Sequence, residues 1–149
     1  MNIFILDESP LRSAEMHCDK HVIKMILEST QMLSTVLNGP YKPTHAKHPC
    51  TLWAGRSRDN AVWLWMLANA LHAEWQARWS HTREHKCKPI LDRLISSKEL
   101  ASMPSLGLTP FAQAMPEEYK HADAVTAYRA YYRSKPFVAW SRGPTPFWW

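Results

Sequence analysis

Glycine and cysteine are scarce, and long apolar runs are missing. Four glycines stand among 149 residues. No GxGxxG or Walker pattern is present, which argues against a loop that cradles phosphate on backbone amides. Three cysteines, Cys18, Cys50 and Cys87, are too few for a disulfide scaffold, and their odd number leaves at least one thiol free. A reducing cytoplasm is the expected compartment. No stretch approaches the roughly 20 apolar residues of a membrane span. The opening run Ile3–Leu6 stops at Asp7-Glu8 without a basic leader, so no secretory signal is expected. Acidic residues are in the minority, 13 against 18 Lys and Arg, for a formal net charge of +5 with eight His uncounted. That balance permits an anionic partner but does not establish one.

What is present is a foldable, tryptophan-rich chain. Hydrophobic residues make up 46% and charged residues 21%, and eight are Trp. The length suits one domain with one core, residues 1–149. Residues 2–6 read as a short, buried, extended lead-in. Ser9-Pro10 opens a long helix expected from about Leu11 to Leu37, closed by Asn38-Gly39-Pro40 with Gly39 in the left-handed cap. Residues 40–55 read as an ordered loop with three prolines and two His. Ser57 or Asp59 caps a second helix through about Trp79. A third helix is expected near Pro89–Leu100 and a last one over His121–Ser134, with residues 102–118 irregular. The fold class is all-α: a helical bundle with Pro-rich connections.

The first helix carries the clearest chemical signal. At 100° per residue, His17, His21, Lys24, Glu28, Gln31 and Thr35 fall in a stripe roughly 80° wide. Met25 and Met32 border it on one side, Lys20 and Leu27 on the other. Val22, Ile23, Ile26, Leu33 and Leu37 cover much of the rest. A surface helix has a broad polar face; here the polar face is the narrow one, so most of the helix is expected to be buried. The stripe is then either a solvated face with a Lys24–Glu28 pair or an ionisable seam lining a cleft. Two imidazoles, an ammonium and a carboxylate within about three turns could supply both acid and base near neutral pH.

Three further groups bear on binding. The segment Tyr41–Cys50 holds Lys42, His45, Lys47 and His48, as a rigid wall meeting phosphate or, with His17 and His21, as a metal site. On the second helix Arg58, Trp65, Asn69, His72 and Gln76 share one face, and Asn60, Glu74 and Arg78 another; most of its Trp residues read as core. Late in the chain, Tyr128, Tyr131 and Tyr132 alternate with Arg129, Arg133 and Lys135. That pattern reads either as an amphipathic helix or as a nucleic-acid surface where cations track phosphates and rings take bases.

The opening MNIFILD, then HCDKHVIKMILESTQML, KPTHAKHPCTLW and the late AYRAYY resemble a family of small phage proteins over nearly the whole chain. The order of features is also similar, more distantly, to the phage pyrimidine-dimer DNA glycosylases, which are single all-α domains. The resemblance implies an α-amine at the chain start that attacks the sugar C1′, helped by a Glu on the long helix. It puts that Glu at Glu28, basic helix positions at His17, His21 and Lys24, and the aromatic C-terminal segment at Tyr131 and Tyr132. The family exposes a small second residue after Met removal. Residue 2 here is Asn, so Met1 is expected to stay and supply the amine, with Lys24 as the other candidate nucleophile.

These readings combine into an expected DNA-directed enzyme acting at an N-glycosidic bond, in a host cytoplasm if phage-encoded. Met1, Lys24, Glu28, His17 and His21 would do the chemistry. Lys42, His45, Lys47, His48, Arg58, Asn60, Arg129, Tyr131, Tyr132 and Arg133 would hold DNA or a nucleotide. No cofactor, resident metal or membrane is implied. Two alternatives stand beside it: a non-enzymatic basic module binding nucleic acid or a host protein, and a hydrolase whose metal is held by His17, His21, His45 and His48.

Overall fold

The lead-in at residues 2–6 threads the centre of the molecule. Ile3, Ile5 and Leu6 are fully buried in the computed structural model, which describes residues 1–149. Ser13 fixes this segment to the first helix: its Oγ donates to Phe4 O and accepts from Leu6 N. Around the lead-in lie seven helices: α1 (Pro10–Met16), α2 (Asp19–Val36), α3 (Pro49–Ala54), α4 (Arg58–Trp79), α5 (Lys88–Ile95), α6 (Lys98–Ser102) and α7 (Ala124–Arg133). A 3₁₀ turn at Glu117–Tyr119 interrupts the otherwise irregular 103–123 stretch, and no strand is present. The all-α expectation holds. One apolar cluster draws side chains from every helix, from Ala14 of α1 to Tyr132 of α7, and α2 against α4 forms its main interface.

The predicted helix Leu11–Leu37 is two helices. His17 and Cys18 adopt extended backbone, with ψ of 136° and 158°. Neither Gly nor Pro causes the break; distant partners hold it open. Arg78 on α4 donates to His17 O (2.8 Å) and Glu15 O (2.9 Å), the carbonyls freed at the end of α1. The Tyr132 hydroxyl on α7 accepts from Cys18 N. Asp19 reaches Arg78 and the backbone and hydroxyl of Ser141. This hydrogen bonding, together with the Arg78 charge, lowers the Asp19 pKa against the opposing effect of partial burial.

Other boundaries shift for local reasons. At the end of α2 the left-handed residue is Asn38 (φ 51°), not Gly39. Gly39 is needed for close approach instead: a Cβ there would lie 2.7 Å from Ser34 Oγ and 2.9 Å from Leu94 Cδ2. The expected 40–55 loop contains α3, started by Pro49 and capped by His48, whose Nδ1 accepts from Cys50 N. The third predicted helix divides at Ser96–Ser97 into α5 and α6, and the last begins at Ala124, where Asp123 accepts from Thr126 N. The second helix runs as expected, from the Ser57 cap to Trp79. No helix is long and apolar enough to cross a membrane.

Burial of α2 is less complete than its composition predicts. Ile23 and Leu27 are 49% and 42% exposed. They lie with Lys20 and Lys24 on the solvent side, so the outward face is this mixed row and the polar stripe turns inward. His17, His21 and Glu28 are buried, and Lys24 sits at the rim.

Candidate active site

The start of the chain folds back onto α2. The α-amino nitrogen of Met1 lies 3.4 Å from Glu28 Oε2; the Met1 side chain is packed away (4% exposed) and the Glu28 carboxylate is nearly withdrawn from water (12% exposed). Lys24 Nζ, on the outer side, lies 3.2 Å from Glu28 Oε1 and is 60% exposed. One carboxylate thus faces the α-amine on one oxygen and a solvated ammonium on the other. Asn2, which the sequence reading connected only with Met retention, sets this arrangement. Its Oδ1 accepts from Ile3 N (2.8 Å) and Phe4 N (3.3 Å), and its Nδ2 donates to Ala114 O (2.8 Å). Phe4 takes φ of 36°, a conformation unfavourable to a bulky residue. Its ring, stacked on His21 at 4.3 Å, and the Asn2 side chain hold it there.

His48 closes the side of the seam next to the amine. Its pKa is lowered by partial burial, then by the positive α-amine and His45, with Glu28 pulling the other way. The imidazole is therefore neutral at pH 7. Its Nδ1 is engaged as the α3 cap acceptor, so Nε2 carries the proton. Cys50, the second residue of α3, feels the same amine and carboxylate; burial pushes its thiol up to about 12, which makes it inert as a nucleophile. His45 is exposed, with φ of 49° and Nδ1 bonded to Thr44 Oγ1. Lys42 and Lys47 are exposed on the same loop, which Thr35 of α2 anchors through the backbone of Thr44.

His17 and His21 lie at the other end of the stripe and belong to the core. His17 is fully buried; its Nδ1 donates to Ser13 O at 2.6 Å while Nε2 has no partner. Burial, reinforced by the Arg78 charge, lowers its pKa to about 4. His21 shares a 2.7 Å hydrogen bond with the Tyr132 hydroxyl. Burial, with His17, Lys135, Lys24 and Lys20 around it, lowers its pKa to about 2. Both rings are neutral throughout the physiological range. The expectation that they shuttle protons near neutral pH is corrected on that ground.

Several predicted binding residues are used internally. Asn60 is buried and ties Trp53 O to Thr109. Arg58 donates to Ala101 O and Met103 O. Tyr132 is fully buried, with its hydroxyl serving Cys18 and His21. Arg129 donates to Leu6 O and lies over Trp148, and Arg133 donates to Trp148 O, so this pair fastens the C-terminal tail. Tyr131 stays half-exposed, with Lys135 Nζ 4.1 Å from its ring centre. The four-histidine metal set does not assemble. Each Nδ1 has a protein partner, and no three His, Cys, Asp or Glu side chains converge as a ligand group.

The seam is also not the floor of a deep pocket. None of the five main concavities is lined by Met1, Lys24, Glu28 or His48; the foremost, about 400 Å³, lies between Leu108–Gln113 and Ala122–Val125. The ionisable groups instead form a close-packed cluster with Lys24 at its exposed edge.

A family model described as pyrimidine dimer DNA glycosylase matches residues 1–87. That span holds the lead-in, α1 to α4 and the whole amine–carboxylate cluster. No curated protein and no solved structure matches the chain. The chain belongs to the pyrimidine dimer DNA glycosylase family.

Proposed function

We propose that this member of the family cleaves an N-glycosidic bond in DNA, with the Met1 α-amine as nucleophile and Glu28 as its partner. The observation that carries this reading is the 3.4 Å approach of the amine to a nearly buried carboxylate. The amine attacks C1′ with its lone pair while the C1′–N bond breaks and its electrons leave with the base. Glu28 accepts the proton that the amine sheds and steadies the positive charge growing at the sugar. The base takes up a proton as it departs. Opening of the sugar ring then gives an iminium between Met1 and the former C1′.

Lys24 serves better as a phosphate contact than as a nucleophile. Its ammonium is solvated and paired, without the desolvation that activates a lysine. A phosphate drawing Lys24 outward would uncover Glu28 and the amine together. Neutral His48, with Nε2–H free, is suited to donate to a phosphate or a sugar oxygen beside the amine.

Borohydride tests the reading, since it reduces the iminium to a stable secondary amine. Wild-type protein is incubated with a duplex carrying a pyrimidine dimer, one carrying an abasic site, and an undamaged one. The adduct is digested and mapped by mass spectrometry, with the intact mass verifying that Met1 is retained. An adduct on the Met1 peptide is expected. An adduct on Lys24, or none on any damaged duplex, overturns the assignment.

A further inference from the structure

Beyond the amine, the N-terminal end of α2 meets the segment after α7 in a corner that the proposed chemistry does not use. Lys20 Nζ lies 4.5 Å from the Phe137 ring centre, and Lys135 Nζ lies 5.6 Å from the same ring and 4.1 Å from that of Tyr131. Phe137 is 40% exposed and packs edge-on against His21 at 5.5 Å. Neither Lys20 nor Lys135 enters an ion pair, unlike Arg78, Lys88 and Lys120. Lys24 continues the row toward Glu28. Lys24 has Glu28 as its counter-charge, whereas Lys20 and Lys135 stand close to one ring with no carboxylate partner, an arrangement that an anion would relieve. Phe137, the exposed ring among them, offers a π-face that a nucleobase can cover once phosphates draw the ammoniums off it.

We propose that Lys20, Lys135 and Phe137, with Tyr131 behind them, form a subsite for a nucleotide flanking the reacting one on the same DNA strand. The lysines hold its phosphates and Phe137 stacks on its base. This rests on the reading of the chain as a DNA-acting enzyme. Lys20 and Glu28 stand eight positions apart on α2, which at 1.5 Å per residue is about 12 Å. With α2 laid along the duplex axis, where each nucleotide of a strand advances about 3.4 Å, the subsite meets the strand about three to four nucleotides from the target sugar. The helix thereby sets a spacing between the lesion and the contact.

The experiment measures binding and stacking separately from catalysis. Fluorescent 2-aminopurine is placed at each of four positions on either side of an abasic-site analogue in a duplex. Titrations use Glu28→Gln protein and the same chain carrying Phe137→Ala, Lys20→Ala with Lys135→Ala, or Lys98→Ala on α6 as a control. Stacking on Phe137 is expected to quench the probe about three to four nucleotides from the target on one side only, and Phe137→Ala to abolish that quench. Loss of the ring should weaken binding about five- to hundredfold. The double lysine variant should lower the salt slope of log Kd by about 2, and Lys98→Ala should not change it. Wild-type affinity, slope and quench in the Phe137 and lysine variants overturn the subsite. If no Met1 adduct forms but the quench and slope respond as described, the chemical reading fails and the subsite stands.

Discussion

Replacing Glu28 by Gln keeps the shape of the side chain and removes its charge. The carboxylate, 12% exposed, faces the α-amine at 3.4 Å. A pair this close to the surface contributes about 1 kcal/mol in the resting state, so the effect of the change is expected in the barrier. Lys24 adds little, since its end of the pair is solvated. The amide can neither accept the proton of the amine nor stabilise a cationic sugar. Release of a base requires both, so its rate should fall about 10²- to 10⁴-fold, or about 3–5 kcal/mol of barrier. An abasic site requires less, because no base has to leave and the aldehyde is already electrophilic. Its borohydride trapping should fall by a smaller factor. Single-turnover base release and single-turnover trapping, measured side by side on the two duplexes, give the two numbers. A Glu28→Gln chain within about threefold of wild type on both substrates would refute the role of the carboxylate. Equal large losses on both would show that Glu28 acts on the amine alone and not on the departing base.

Asn2→Leu removes the acceptor for Ile3 N and Phe4 N while keeping a large second residue, so Met1 stays; trapping should slow at least tenfold with the Glu28 pair no longer held, as read by adduct formation over time. Arg78→Lys cannot reproduce the bonds to His17 O, Glu15 O, Glu74 and Asp19; it should cost about 2–4 kcal/mol, lowering the melting temperature by about 4–15 °C in a scanning calorimeter. His17 has a folded pKa of about 4 against 6.5 unfolded. The unfolded chain therefore binds the proton first, and stability present above pH 6.5 is lost as the pH falls toward 4, by about 3 kcal/mol. Urea denaturation at pH 7, 5.5 and 4.5 should show that fall, to which His21, with a folded pKa of about 2, adds over the same range; His17→Phe should therefore reduce the slope without abolishing it, and an unchanged slope would contradict the burial argument.

Signals confined to neighbouring residues were legible, and those made by distant partners were not. Ser9-Pro10, the Asn38-Gly39-Pro40 stop and the Ser57 cap act within one helical turn, and each marks a real boundary. The break at His17-Cys18 has no local cause. It depends on Arg78 and on Tyr132, 61 and 114 residues further along the chain. Glu28 stood out because it is the one carboxylate in a narrow polar stripe, and the seam does turn inward. The same stripe could not separate His17 and His21 from it, because periodicity reports a face and not how deep each end of that face lies. Asn60 and Arg58 looked available as polar groups on a tryptophan-rich helix. Their partners are backbone carbonyls of Trp53, Ala101 and Met103 and the side chain of Thr109, and no period in the sequence encodes such contacts. Asn2 went unread for the opposite reason: a side chain bonded to the next two amides leaves no pattern at all.

The break between α1 and α2 also explains why one polar stripe performs two tasks. Extended backbone at His17 and Cys18 turns the start of α2 into the core, where Tyr132 and Phe4 enclose His21. In that low-dielectric place an imidazole is tolerated only as a neutral hydrogen-bonding ring, and the folded pKa values follow from that. Two turns on, the lead-in leaves the core and ends, so the amine of Met1 emerges beside Glu28 instead of beside the histidines. The amine there offsets the burial of the carboxylate. The acidic group that is costly to bury is thus placed where the chain start can neutralise it, and the proposed chemistry is confined to that end of the helix. Had the helix run unbroken from Leu11, its first turns would have lost the contacts to Arg78 and Tyr132 that set its position. Since the amine rides on a lead-in bolted to Ser13 of α1, the break fixes the distance between the α-amine and Glu28.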